Sequence, residues 1–273
     1  MIIGIDIGGT TTDIVGLKDG NILSPISVKA DDPVTSAAGA LGKFVETNRL
    51  SLSEIKLIAA TGVGANYIHD KLLGINVIKV DEFSAIGTAG SYLSGIKNAI
   101  VVSLGTGTAV VSVKDHEISH WGGSGVGGGT LMGLSQKLLN ITSINTLVDK
   151  AKNGRLDMVD LTVGDIAGGA LNNLPESATA SNFGKISDEA TDSDIALAIF
   201  NLVSQTVALM GISAARAEQL SNIVFTGKLA ILDPIKQVLE SVARLYNMTI
   251  DVPEHAEFAT AIGAAIEADS HGK

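Results

Sequence analysis

The chain contains no cysteine, and that one absence removes disulfides, thiolate nucleophiles, iron–sulfur clusters and cysteine zinc sites together. Positive charge is scarce: 19 Lys and Arg against 29 Asp and Glu give a net charge of -10. Nucleic-acid binding through counterion release needs clustered Lys and Arg, so no such partner is expected. No apolar run reads as long enough to span a membrane, and the N-terminus lacks the basic and small-residue flanks of a signal peptide. The expectation is a cytoplasmic protein with no membrane contact. An anionic ligand would have to be held by local dipoles and Mg²⁺, since the overall field opposes it. What is plentiful is glycine, with 31 residues, and apolar side chains at 45%. That composition describes a compact α/β protein with many tight turns, and 273 residues permit one large or two modest domains.

The opening stretch, Ile2 to Asp13, reads IIGIDIGGTTTD. Its β-branched residues suit a buried strand. Gly8 and Gly9 then let the backbone turn and approach a ligand, while Thr10, Thr11 and Thr12 offer hydroxyls and N–H groups to phosphoryl oxygens. Asp6, near the strand end, is placed to hold Mg²⁺ directly or through water. A plain hairpin with a polar turn fits the same residues, and a hairpin that grips phosphate satisfies both descriptions.

Helical spacing predicts a helix over Val34 to Asn48, after Asp31, Asp32 and Pro33. Ile55 to Ala60 is a strand, and Thr61, Gly62 and Gly64 follow at the carboxyl end of a sheet, where open α/β folds place ligands. The next strand, Asn76 to Val80, ends in Asp81 and Glu82 before a helix over Phe83 to Leu93. Glu82 would be fixed at a strand tip and could act as a general base on a hydroxyl. Either acid could instead only satisfy the helix start, with Asp81 the better cap.

Ala99 to Ser103 is a strand running through Leu104 into Gly105, Thr106, Gly107 and Thr108, with a second strand over Ala109 to Val113. It repeats the opening pattern. Two such phosphate hairpins facing one another across a cleft resemble the actin-like, sugar-kinase and Hsp70 ATPase superfamily. That resemblance implies a two-lobed actin-like ATPase (ribonuclease H-like) α/β fold with a duplicated mixed sheet and an interlobe nucleotide cleft, divided into lobes at 1–98 and 99–273.

Between His120 and Leu138, six glycines in eight residues (Gly122, Gly123, Gly125, Gly127, Gly128 and Gly129) precede a helix starting near Thr130. A glycine-rich approach to a helix N-terminus is an anion site, so contact with substrate or nucleotide is expected here. Gly168 to Ser187 is polar and small, an insertion or a loop toward the cleft. Asp194 to Leu220 is a long apolar helix, for a core or a dimer interface. Ile223 to Phe225 runs into Thr226, Gly227 and Lys228, a third junction suited to adenosine. A final helix starts near Glu257, with Gly263 allowing close packing or approach to the adenine.

With GTGT, GGSGVGGGTLMGL and ATASNFG in order, the sequence resembles the type II pantothenate kinases over nearly its whole length, from DIGGT to AEFATAIGAA. The resemblance implies an ATP- and Mg²⁺-dependent enzyme, homodimeric, that phosphorylates pantothenate to 4′-phosphopantothenate at the entry to coenzyme A synthesis. It makes Glu82, in VDEF, the general base, sets Thr106 near the pantothenate hydroxyl, and makes the glycines from Gly122 to Gly129 the loop around substrate and phosphates. Two positions depart from it. His120 stands where an arginine usually contacts the acyl substrate, and an imidazole cannot make the bidentate contact of a guanidinium. Asp13 replaces a basic residue of the first phosphate loop, which leaves phosphate attraction to Mg²⁺ or Lys228. Another small hydroxy compound as acceptor, or a catalytically impaired nucleotide-binding regulator, are the alternatives.

Overall fold

The computed structural model describes residues 1–29 and 31–271. Its first sheet is built by a meander: β1 (Ile2–Ile7), β2 (Thr11–Lys18) and β3 (Asn21–Lys29). The turn between β2 and β3 is made by Asp19 and Gly20, both with positive φ. After α1 (Pro33–Asn48), β4 (Leu57–Thr61), β5 (Lys71–Leu72) and β6 (Ile75–Lys79) complete the strand order β3-β2-β1-β4-β6-β5. Asp32 caps α1 by accepting from the Thr35 N–H. Ala37, Ala40, Leu41 and Phe44 of this helix cover the apolar face formed by Ile3, Ile5, Ile7, Ile14 and Ile58.

The second sheet repeats the plan. Following α2 (Glu82–Ser94) come β7 (Asn98–Leu104), β8 (Thr108–Lys114) and β9 (Glu117–Ser124), then α3 (Gly128–Leu139) and α4 (Ile144–Ala151). The short pair β10 (Leu161–Thr162) and β11 (Thr179–Ser181) flanks α5 (Val163–Ala167). The chain continues through α6 (Asp192–Ala217), β12 (Asn222–Thr226), α7 (Asp233–Tyr246), β13 (Thr249–Asp251) and α8 (Ala259–His271). The order β13-β12-β7-β8-β9 mirrors the first sheet. In each sheet an antiparallel three-strand meander is extended by parallel strands beyond its first member.

Two helices lie between the sheets. A Cβ on Gly4 of β1 would stand 1.9 Å from the Ala261 carbonyl oxygen of α8, and one on Gly263 of α8 would stand 1.8 Å from that of Ala85 in α2. On the far side of α2, a Cβ on Gly90 would meet Val101 of β7 at 2.5 Å. The molecule is therefore layered as first sheet, α8, α2, second sheet, with no room for a methyl at these crossings. The strands of the first sheet all precede Asn98 and those of the second begin with it, while α8 returns to the first sheet and α2 packs on the second.

The expected strands and long helices are present, with three differences. β3 and β9 were not foreseen, so each hairpin is a three-strand meander, and Gly122 and Gly123 lie in β9. The helix over Asp192–Ala217 is by length and composition able to cross a membrane, which corrects the expectation that no run is. Its centre is nevertheless the core of the second lobe, where Phe200, Val203 and Val207 are fully buried. Finally, the stretch from Gly168 to Ser187 docks on that helix. Buried Asp160 accepts hydrogen bonds from the Phe183 N–H (2.8 Å) and from Asn201 Nδ2 (2.6 Å), with Asn182 Nδ2 at 3.3 Å. Phe183 has φ 58°, so Asn182, Phe183 and Gly184 form a tight turn anchored to α6.

Candidate active site

The two glycine-threonine elbows meet. The first, Gly8 to Thr10, is closed by the Gly8 N–H donating to the Thr11 carbonyl at 3.0 Å. The second is Gly105 to Gly107, between β7 and β8. Thr10 Oγ1 and Thr106 Oγ1 are 2.9 Å apart although 96 residues separate them in sequence. Gly9, Thr10, Gly105 and Thr106 are all exposed, so this junction opens to solvent. Thr12 is a correction to the expected set. β2 begins at Thr11, so strand alternation turns Thr11 and Asp13 toward the second lobe and Thr12 toward the core, where its hydroxyl is buried without a partner among the described residues.

Acidic groups gather beside the first elbow. Asp6 and Asp13 are cross-strand partners on one face of β1 and β2. Burial pushes the Asp6 carboxyl up to about 7, helped by the charges of Asp13 and Glu82 and opposed by Lys228. Gly62 leaves the space Asp6 needs: it adopts φ 84°, and a Cβ there would stand 2.3 Å from Asp6 Oδ1. Glu82 opens α2 as its first residue, while Asp81 caps that helix by accepting from the Ser84 N–H at 2.9 Å. Burial raises the Glu82 carboxyl above the usual range, and the neighbouring Asp81 charge adds to it.

Lys228 answers these acids from the other lobe. Its ammonium donates to Thr11 Oγ1 (2.5 Å), Ser27 Oγ (2.6 Å) and Asp13 Oδ1 (2.7 Å), all on β2 and β3. Lys228 enters the expectations as part of the third junction and as a possible compensation for Asp13, and Ser27 not at all. The signal available was TGK after a strand, but the partners lie more than 200 positions away.

The glycine run acts differently from expectation. The Gly128 and Gly129 N–H groups, the first two of α3, donate to the carbonyls of Gly105 (2.9 Å) and Thr106 (2.8 Å). Gly127 is buried, and a Cβ on it would stand 2.7 Å from the Gly107 carbonyl carbon. Thr130 turns its hydroxyl to the Gly125 carbonyl at 3.0 Å. These residues brace the second elbow from behind, so their N–H groups are not a free anion cradle. In β9, a Cβ on Gly123 would meet the Thr108 carbonyl at 2.7 Å, while Gly122 has open space beside it. His120, exposed on the same strand, stacks on Phe83 with ring centroids 3.8 Å apart and planes at 13°. Phe83 directly follows Glu82, so the predicted acceptor contact and the predicted base share one neighbourhood.

At the third junction Thr226 is fully buried, its hydroxyl without a partner among the described residues. Gly227 has φ 88° and packs on the Leu104 backbone, where a Cβ would come within 2.4 Å of the carbonyl oxygen. Gly263 is spent on the contact with Ala85. Thr226 and Gly263 thus present no surface to an adenosine group, which corrects both as nucleotide contacts, and of the two roles open to Gly263 the structure shows close packing.

Duplicated mixed sheets, a helical layer between them and paired elbows at one end define the two-lobed actin-like ATPase fold. Solved structures agree. The activator of 2-hydroxyisocaproyl-CoA dehydratase from Clostridium difficile, solved with bound ADPNP, superposes with TM-score 0.72 at 20% identity, covering 99% of this chain and 94% of that one. A ROK family glucokinase from Streptomyces griseus gives TM-score 0.60 at 16% identity, covering 98% and 99%. The Fumble family matches residues 95–267, and the type II pantothenate kinase of Bacillus thuringiensis subsp. konkukian is 30% identical over 97% of each chain. The chain belongs to the type II pantothenate kinase family.

Proposed function

We propose that the protein transfers the γ-phosphoryl group of ATP to the primary hydroxyl of pantothenate, giving 4′-phosphopantothenate for coenzyme A synthesis. The observation that supports this most directly is the position of Glu82: a half-buried carboxylate of raised proton affinity, electrostatically coupled to Asp6 and followed by the Phe83–His120 stack, in a chain of this family. Glu82 accepts the hydroxyl proton as the oxygen attacks. Thr10 and Thr11 at one elbow and Gly105, Thr106 and Gly107 at the other donate to phosphoryl oxygens, stabilising charge that moves during transfer. Phe83 and His120 orient the acceptor.

The residues present fit a Mg²⁺ ion. Asp6 is a hard oxygen donor near the charges of Asp13 and Glu82, with Lys228 opposing them, and among the described residues no three such side chains converge to cage an ion. One carboxylate with waters and phosphate oxygens is how Mg²⁺ is usually held at such sites. When bound, it would neutralise the β and γ phosphates.

His120 favours one rival, a kinase of another small hydroxy compound, because its ring offers a flat face where a carboxylate clamp would need a guanidinium. ADP release measured over pantothenate and other hydroxy acids separates the two. Release with pantothenate alone supports the proposal, release with a different acceptor supports the rival, and none with any acceptor beside tight ATP binding points to a regulator. Glu82→Gln should abolish turnover and spare nucleotide binding; an active variant refutes the assignment of the base.

A further inference from the structure

Lys228 bridges the two lobes, and its placement has a chemical direction. Its backbone is anchored at the root of the second elbow, because Gly227 before it packs on Leu104 and the Leu229 N–H after it points to the Leu104 carbonyl. Its ammonium ends on Thr11, at the root of the first elbow. One residue therefore ties both elbows to one charge. Its acceptors are unequal. Asp13 is nearly enclosed, with 8% of its side chain exposed, and Ser27 is its cross-strand neighbour. The lysine side chain keeps 36% exposure, and Thr11 adjoins the exposed Thr10 whose hydroxyl meets Thr106.

We propose that Lys228 is the phosphate-facing cation of this cleft, delivered to the first elbow by the second lobe and held there by Asp13 and Ser27, and that it recognises nucleotides bearing two or more phosphates. A phosphoryl oxygen bridging the elbows takes the place of Thr11 in the coordination of the ammonium, while Asp13 and Ser27 stay bound. Asp13 at this position is then a holder of the cation, and its negative charge does not weaken phosphate attraction.

The inference rests on the nucleotide reading above, but its test leaves the acceptor out. Calorimetric titration with ATP, ADP, AMP and adenosine in the presence of Mg²⁺ is compared among wild type, Lys228→Met and Lys228→Arg. Loss of a charge-assisted hydrogen bond predicts that Lys228→Met weakens ATP and ADP by about tenfold or more, leaves AMP and adenosine unchanged, and is largely rescued in Lys228→Arg. Unchanged ATP affinity overturns the proposal. So does a loss shared equally by all four ligands, which would make Lys228 an interlobe clasp alone. If Lys228→Met does not fold, Ser27→Ala serves, with a smaller loss expected for ATP and ADP only and an equal loss for all ligands overturning the inference. A wild type that binds ATP yet phosphorylates no pantothenate refutes the acceptor and leaves the Lys228 result standing.

Discussion

At the residue scale, the chemistry depends on Glu82 being ionised in surroundings that resist ionisation. Burial is the main cause of its raised proton affinity and the Asp81 charge is the second. A base with a raised pKa is protonated over more of the acid range, so kcat/KM should climb with pH through an inflection above the ordinary Glu value. Asp81→Asn keeps a side chain able to cap α2 but removes the charge, so its inflection should move to lower pH. A pH–rate profile of both enzymes checks this, and coincident profiles would count against Glu82 as the base. Gly62→Ala tests the neighbouring acid. The methyl would collide with Asp6 Oδ1 and occupy φ 84°, so Mg²⁺-dependent turnover should fall at least about tenfold, with Mg²⁺ titration of activity as the measurement.

Residues of this kind were legible where the signal is local. Two glycines and three threonines after an apolar strand name an elbow, and Asp81 before Glu82 names a cap. The same strings could not say that Thr12 turns inward, because that follows from where β2 starts. They could not find Ser27, or decide the role of Lys228, because those contacts join residues 201 to 217 positions apart.

At the element scale, glycine was the most misleading residue. Those from Gly127 to Gly129 look like a ligand cradle in sequence and are in fact where α3 presses its backbone on the second elbow. Gly263 reads equally as close packing or as an approach to adenine, and it is where α8 crosses α2. In both cases absence of a Cβ serves a backbone contact, and sequence does not say whether the contacting backbone belongs to the protein or the contact is with a ligand. β3 and β9 escaped for another reason. β3 carries Pro25 and is only partly buried, and β9 is an exposed edge with two Gly and two Ser in eight residues, so neither gives a clear strand signal. Gly263→Ala should cost about 1–3 kcal/mol by overpacking, read by urea unfolding, and should lower turnover as well because α2 begins at Glu82. Wild-type stability in that variant would show that the helices can separate freely. Asp160→Ala should destabilise by a similar about 2–4 kcal/mol, since Asn201 and the Phe183 N–H lose a buried acceptor, and limited proteolysis should then cut the polar segment between Gly168 and Ser187 sooner.

At the scale of the whole molecule, α8 and α2 fill the space between the two sheets, and beside the elbows Asp6 lies near the charges of Asp13 and Glu82, with Lys228 opposing them. The ligand-free protein therefore works against itself at neutral pH. Asp6 has its proton affinity raised from 3.8 to about 7 on folding. A carboxyl raised in this way binds its proton more tightly in the folded state, so the stability associated with it is complete below the unfolded value near 3.8 and is lost as pH rises toward 7. Asp6→Asn removes the group that titrates. The stability of Asp6→Asn relative to wild type should accordingly grow between pH 4 and 7 in ligand-free protein, with thermal or urea unfolding at each pH as the measurement. Saturating Mg²⁺ and ATP should reverse the order. The ligand stabilises whichever form binds it, by about 2.7 kcal/mol at a hundredfold excess over Kd, and wild type keeps the carboxylate for the metal whereas the amide does not. A difference between the two proteins that stays flat with pH would mean that Asp6 is ionised at no cost in the free enzyme, and that the crowding of acids around the elbows is already balanced before any ligand arrives.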